Sequence, residues 1–226
     1  MSEPVDQEPA SQLSVSVHTE VVVVRHGETV WNSERRMQGQ KNSALSDRGR
    51  AQARALGERM RCEPFDVLYS SDLVRAHETA QAIAAITGHE IRIDPRLRER
   101  GFGIFEGLTR AEMESRYPAQ YERFRLRDPD YTIPGGESPR AFYERSMACF
   151  LDLTKRHHGR RIVVVAHGLL LDSLYRAAHD LDLMAPRGLD LINASLNTFR
   201  HHEGRWHMLA WGDRAHLENI TVFQEG

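Results

Sequence analysis

Thr19-Glu20-Val21-Val22-Val23-Val24-Arg25-His26-Gly27 is the stretch on which the fold turns. Successive side chains of a strand point to opposite sides, so four valines in a row describe a strand covered on both faces. The run Arg161-Ile162-Val163-Val164-Val165-Ala166-His167-Gly168 repeats the arrangement, again ending in His-Gly. Further strands are read at residues 65–69 and at 91–93, the latter closed by Pro95.

Helical patterns fill the gaps between these runs. Ser46 makes an N-cap for a helix to about Arg61, with Ala51, Ala55, Leu56 and Met60 on one face. A second helix spans about 73–87, with Ala76, Ala80, Ile83 and Ala84 at helical spacing and Gly88 as its stop. Ser138-Pro139 opens a third, which carries Phe142, Met147, Phe150 and Leu153 inward and ends near Gly159. A fourth follows Gly168 to about Ala178, and residues 195–202 and 205–211 flank Glu203-Gly204 as a hairpin. Strands alternating with helices predict an α/β fold, a three-layer sandwich whose mainly parallel sheet has helices on both faces.

The chain of 226 residues suits one domain of this kind, expected over residues 19–226. Residues 1–18, rich in Ser, Glu, Gln and Pro, read as a disordered leader. Residues 1–24 hold no Lys or Arg, so the charged start of an export signal is missing. No apolar run approaches the roughly 18 residues of a membrane span. Two cysteines, Cys62 and Cys149, give neither a disulfide framework nor a zinc ribbon, and the expected location is the cytoplasm. A formal net charge of −2 speaks against a nucleic-acid binder. Oligomeric state and natural substrate have no signature in the sequence.

Polar clusters follow three of the expected strands: Arg25-His26-Gly27-Glu28-Thr29, Ser70-Ser71-Asp72-Leu73-Val74-Arg75 and Ala166-His167-Gly168. Strand carboxyl ends of an open α/β sheet share one edge, where ligands bind. Arg25, His26, Arg75 and His167 can therefore converge. Two cations and two imidazoles suit an oxyanion, above all a phosphate. Helix starts after Ser71 and at Gly168 add backbone N–H donors. Singly, each His-Gly is a turn and Arg75 a solvated helix residue; the conjunction carries the inference.

The ordered motifs R-H-G-E-T-V-W-N at 25–32, Q-G at 38–39, A-L-S-D-R-G-R-A-Q-A at 44–53, Y-S-S-D-L-V-R-A-H-E-T-A at 69–80, L-R-E-R-G-F-G-I-F-E-G at 97–107, P-G-G-E-S at 134–138 and A-H-G at 166–168 resemble those of the histidine phosphatases, the phosphoglycerate mutase-like superfamily. The resemblance runs from about Val21 to Asn197. It implies that His26 is the nucleophile, that Arg25, Arg75 and His167 hold the transferring phosphoryl group, and that Glu99 is the proton donor. It also implies that Asn32, Gln38 and Gly39 line the pocket, with Gly168 beside them at the start of its helix. Glu28, Glu106 and Glu137 are rivals for the acid, and Glu99 has a plain alternative as an ion-pair partner of Arg96, Arg98 or Arg100.

The expected function is metal-independent hydrolysis of a small phosphorylated metabolite through a phosphohistidine, with no cofactor. The alternatives are a 2,3-bisphosphoglycerate-dependent phosphoglycerate mutase and a non-catalytic phospho-ligand-binding module. Only about thirty residues separate Gly107 from Ser138, a short cover of the phosphatase kind. Residues 107–137 read as a pocket-capping insertion. Its basic run 123–127 reads first as a solvated helix face; the alternative is that it helps select an anionic or aromatic substrate, with Tyr117, Tyr121, Phe124 and Tyr131 as stacking surface. Phe105, Leu169 and Asp172 depart from common residues of the family. His167 and Asp172 also spell H-x-x-x-x-D, a pairing of some lipid acyltransferases, although Asp172 is more simply a surface residue. The pairs His157-His158 and His201-His202 read as solvated histidines, since adjacent side chains diverge.

Overall fold

The computed structural model describes residues 18–186, 188–218 and 220. The expected leader lies, as far as residue 17, outside the described residues. Six strands, β1 (Thr19–Arg25), β2 (Val67–Ser70), β3 (Ile91–Ile93), β4 (Arg161–Ala166), β5 (Leu196–His202) and β6 (Arg205–Asp213), form one sheet in the order β3-β2-β4-β1-β5-β6. The four strands from β3 to β1 are parallel, and β5 and β6 add an antiparallel hairpin beside β1. Glu203 (φ 48°) and Gly204 (φ 76°) turn that hairpin, the paired positive φ values that a tight two-residue turn requires.

The valine runs sort by parity, as a strand covered on both faces must. Val21, Val23, Ile162 and Val164 pack with Phe142, Phe150 and Leu153 of one helix (Pro139–Arg156) and with Leu170, Leu171 and Leu174 of another (Gly168–Ala178). Val22, Val24, Val163 and Val165 face Leu56 and Met60 of the helix Asp47–Arg61 and Ala76, Ala80 and Ile83 of the helix Val74–Thr87. With the short helices Val30–Ser33, Arg110–Arg116 and Pro118–Arg125 included, these are α1 (Val30–Ser33), α2 (Asp47–Arg61), α3 (Val74–Thr87), α4 (Arg110–Arg116), α5 (Pro118–Arg125), α6 (Pro139–Arg156) and α7 (Gly168–Ala178). Each buried valine is worth about 1.5 kcal/mol or more, so the two faces anchor the sandwich. Ser46 and Ser138 cap α2 and α6 through the N–H groups of Gly49 and Ala141, and Gly88 closes α3.

The inward face of α2 differs from the expected one. Gly49, Gln52, Ala53, Leu56, Gly57 and Met60 are buried, whereas Ala51 and Ala55 are only partly covered. Close approach decides this face rather than hydrophobicity: a Cβ on Gly49 would stand 1.9 Å from the carbonyl oxygen of Glu28. Met147 of α6 is likewise only partly buried, packed against the cluster that Cys149 and Phe150 fill.

Between β3 and α6 lie the short helices α4 and α5, built on a separate small core of Phe102, Phe105, Met113, Tyr121, Tyr131 and Ile133. Tyr121 and Tyr131 are buried in that core, and Tyr117 meets Phe105 edge to ring at 6.3 Å. These aromatics hold the segment together, and Tyr121, Phe124 and Tyr131 also line a large cavity. His157 and His201 are also less solvated than their sequence suggests, lying against Tyr69 and Trp206 respectively. Among the described residues no helix is long and apolar enough to cross a membrane.

Candidate active site

The parallel register sets the site. Arg25 pairs with Ala166 and Ser70 with Val165, so β1, β2 and β4 end side by side. The ladder continues one step further, with His26 N–H donating to Ala166 and Ser71 N–H to Val165, each at 3.0 Å. His26, Ser71 and His167 thus stand in a row at the carboxyl edge, and α3 delivers Arg75 beneath them.

His26 is buried and its ring is fixed at both nitrogens. Nδ1 lies 2.7 Å from the Gly27 carbonyl, which can only accept, so Nδ1 carries the proton and Nε2 the lone pair. The Nε of Arg75 donates to that lone pair at 3.2 Å. Burial, reinforced by Arg75 and Arg25, pushes the His26 pKa well below its ordinary 6.5, which keeps the ring neutral. His167, its ring centroid 5.3 Å from that of His26, is held neutral in the same way by burial and by Arg75, His26 and Arg25.

Arg75 is 1% exposed, and burial lowers its pKa to about 10. Its terminal nitrogens donate to the Lys41 carbonyl at 3.0 Å and the Gly39 carbonyl at 2.7 Å. Gly39 has φ +55°, and a Cβ there would meet Glu106 Oε1 at 2.1 Å, so glycine is required twice over. Arg25 donates to the Leu191 carbonyl. A Cβ on Gly168 would lie 3.6 Å from Arg25 Nε, which places the α7 N-terminus directly beside that guanidinium.

Glu99 reaches the same place from the segment after β3. Its Oε2 accepts the N–H of Leu169, two residues past His167, at 3.3 Å, and its Oε1 accepts the Arg100 N–H at 2.9 Å. Loss of solvation raises the Glu99 pKa, against the pull of those two N–H groups and of Arg75 and Arg25. Its suggested arginine partners are engaged elsewhere. Arg96 pairs with Asp94 and Asp152, Arg98 with Asp72, and Arg100 Nε donates to the Glu137 carbonyl. The rival acids are committed too. Glu28 accepts from Ser46 Oγ, Glu106 from the N–H groups of Gln40 and Phe102, and Glu137 binds Arg145 at 2.8 Å.

The remaining expected residues sit nearby in different capacities. Asn32 Oδ1 closes a capping box with Thr29 and accepts at 3.4 Å from Asn193, whose Nδ2 also donates to the His26 carbonyl at 2.9 Å. Gln38 is buried, and its side-chain oxygen has no hydrogen-bond partner among the described residues. Asp172 is not a surface residue: it forms an ion pair with Arg176 at 2.9 Å, both largely buried. His167 turns to Ser71 instead, Nε2 to Oγ at 2.9 Å, so the H-x-x-x-x-D pairing has no counterpart in the fold.

Sequence reasoning missed several supports. Thr79 Oγ1 accepts the Gly27 N–H at 3.0 Å and donates to the Arg75 carbonyl at 2.8 Å. Gln52 Oε1 accepts the Glu28 N–H at 2.8 Å, and Asn193 holds the His26 carbonyl. Thr79 and Gln52 lie inside quoted motifs, where a polar residue on a buried helix face is a usable signal. Asn193 has no such signal.

A cavity of about 1060 Å³ is lined by Arg100 and Leu169, whose N–H groups hold Glu99, and among others by Phe102, Arg110, Tyr131 and Arg176. Arg176 is paired with Asp172, but Arg100 and Arg110 give their Nε to neutral oxygens, the Glu137 carbonyl and the Tyr121 hydroxyl. Arginines outnumber aspartates in its lining, so the cavity is net cationic.

Comparison with known proteins gives the family. The family model of the histidine phosphatase superfamily (branch 1) matches residues 21–214. The chain is 42% identical over 213 residues to phosphoglycerate mutase-like protein 4 of Arabidopsis thaliana, covering 92% of this chain and 91% of that protein. It is 38% identical over 211 residues to the metal-independent phosphoserine phosphatase of the same plant, covering 92% and 87%. Among solved structures, the mycobacterial glucosyl-3-phosphoglycerate phosphatase in complex with VO3 superimposes with a TM-score of 0.76 at 34% identity, covering 86% of this chain and 99% of that one. With its phosphoglycerate mutase-like sandwich and this match over most of its length, the chain belongs to the histidine phosphatase superfamily, branch 1.

Proposed function

We propose that the protein is a metal-independent phosphomonoesterase that works through a phosphohistidine at His26 on a small phosphorylated metabolite. The observation that carries this reading is the neutral, buried His26 ring, with Nδ1 tied to the Gly27 carbonyl and the Nε2 lone pair met by Arg75. The substrate phosphoryl group takes over the Arg75 N–H donors, joined by Arg25, His167 and the N-terminus of α7 at Gly168. Three equatorial oxygens then face fixed cations and N–H groups, the stabilisation phosphoryl transfer needs.

The Nε2 lone pair forms a bond to phosphorus as the bond to the leaving oxygen breaks. That oxygen takes the proton of Glu99, whose raised pKa favours the acid form. Water then attacks phosphohistidine, the P–N bond breaks back to neutral Nε2, and Glu99 recovers a proton from the water. Each turnover consumes one water and releases one alcohol and one phosphate. The surrounding donors are cations and neutral imidazoles, a set that binds anions, and among the described residues no cluster of His, Cys, Asp or Glu could hold a metal ion.

The leaving group departs on the Glu99 side, which is the side of the large cavity, so residues 107–137 act as its cap. The cationic lining at Arg100 and Arg110 suits a leaving group that bears a further anionic substituent. Asn32, Gln38 and Gly39 shape the phosphate end of the same pocket. We place the protein in the cytoplasm, in keeping with two free cysteines.

The relative named as phosphoglycerate mutase-like favours one second reading, a mutase primed by a bisphosphorylated compound. The roomy cavity speaks for hydrolysis, because a mutase must keep water from its phosphohistidine. Phosphate release from an aryl phosphate and from a panel of phosphorylated metabolites, with chelator present, separates the two. Turnover without primer that vanishes in His26→Ala is the expected result. Isomerisation of 3-phosphoglycerate only with 2,3-bisphosphoglycerate added would replace it with the mutase reading.

A further inference from the structure

His167 is fully buried, and its two ring nitrogens have different surroundings. Nε2 stands 2.9 Å from Ser71 Oγ, whereas Nδ1 is buried with no hydrogen-bond partner among the described residues. Ser71 is itself fully buried, its backbone is pinned by β4 through Val165, and its Oγ accepts the Leu73 N–H at 3.2 Å. A serine hydroxyl has one proton to give. Given to Nε2, it satisfies every polar group of Ser71 and leaves the imidazole proton on Nδ1. Were Nε2 protonated instead, Ser71 Oγ would accept twice and its own proton would find no acceptor among the described residues.

We propose that Ser71 is a positioning residue: its hydroxyl donates to Nε2 of His167 and fixes the ring as the Nδ1–H tautomer. A protonated Nδ1 offers a donor to a phosphoryl oxygen, whereas a lone pair there would repel it. The two imidazoles are then opposite in character for opposite reasons. A carbonyl acceptor at Gly27 makes His26 a lone-pair donor at Nε2, and a hydroxyl donor at Ser71 makes His167 a proton donor at Nδ1. One ring attacks, and the other steadies the group attacked. The catalytic consequence rests on the phosphohydrolase reading; the tautomer does not.

The test uses the full chain with 15N-labelled histidine, its His167 ring signals assigned by their loss in His167→Gln. Two-bond proton–nitrogen correlations distinguish a protonated from an unprotonated ring nitrogen. The wild-type protein should show protonated Nδ1 and bare Nε2 at His167. In Ser71→Ala the proton should redistribute toward Nε2, with aryl phosphate kcat falling roughly tenfold to a hundredfold. Ser71→Thr, which keeps the hydroxyl, should restore both. A wild-type ring protonated at Nε2 would overturn the proposal, as would a Ser71→Ala ring that keeps the wild-type pattern. The wild-type spectrum decides the matter even where Ser71→Ala does not fold. A protein that hydrolyses no phosphate ester yet shows this tautomer would fail the function and retain the proposal.

Discussion

The Nε of Arg75 donates to Nε2 of His26 across 3.2 Å, while its two terminal nitrogens hold the carbonyls of Gly39 and Lys41. One guanidinium therefore aligns His26, the proposed nucleophile, and ties the Gly39 loop to it. The planar fork allows both at once, and a lysine ammonium at the end of a flexible stem does not. Arg75→Lys should keep the charge and still lower kcat/KM for an aryl phosphate by roughly 10²- to 10³-fold. Activity within threefold of wild type would show that charge alone suffices.

The acid role proposed for Glu99 matters only where the departing oxygen needs a proton. Glu99→Gln should cost roughly 10²- to 10⁴-fold in kcat on an alkyl phosphate. On p-nitrophenyl phosphate, whose phenolate leaves unaided, the loss should be below about tenfold for the first step. Rapid-quench measurement of the two substrates makes the comparison, and equal losses would assign Glu99 to binding instead.

His26 and His167 are both held neutral in the fold, at pKa values well below 6.5, by burial and by Arg75 and Arg25, with Arg145 adding to the effect on His167. The unfolded chain protonates these rings near 6.5, so it gains protons first as pH falls. Their stabilising contribution is whole above that pH and is lost progressively below it, at about 1.4 kcal/mol per pH unit for each ring. Urea unfolding at pH 7.5, 6.5 and 5.5 should show the wild type losing stability more steeply than His167→Gln. Parallel pH profiles would mean that His167 is protonated in the fold.

Gly49 of α2 lies against the Glu28 carbonyl, where a Cβ would stand at 1.9 Å. Backbone cannot swing aside as a long side chain can. Gly49→Ala should therefore cost about 2–3 kcal/mol in urea unfolding. It should also depress activity, because the strand-end loop that moves carries His26. An unchanged unfolding midpoint would rule out the close approach.

The sandwich was legible because strand and helix periodicities are local. Val21–Val24 and Ile162–Val165 announced a doubly covered sheet, and the His-Gly pairs announced its carboxyl edge. The face of α2 escaped because glycine contact, unlike hydrophobic pattern, depends on what lies opposite. Asp172 escaped for a related reason: its partner Arg176 lies on the same helix, but Arg176 is also held by the carbonyls of Asp182 and Ala185 in the loop after α7, which no helix pattern announces. Asn193 supports the His26 carbonyl from a distant part of the chain, and no local pattern marks so remote a partner. Glu99 was legible only through its family resemblance; what holds its carboxylate beside the start of α7 are the N–H groups of Leu169 and Arg100, which no local pattern marks.

The pairing of Arg25 with Ala166 has a consequence in time as well as in space. A ribosome delivers β1 early and β4 much later, so the first half of the anion nest waits with nothing to close against. Zipping parallel strands across such a span of chain is slow, since loop entropy must be spent before the contacts repay it. A nascent or prematurely terminated chain that lacks β4 and α7 has His26 but neither His167 nor the wall that buries both rings. Such fragments should be inert toward phosphate esters rather than weakly active. Competence then arrives late and in one step, when the second His-Gly docks beside the first.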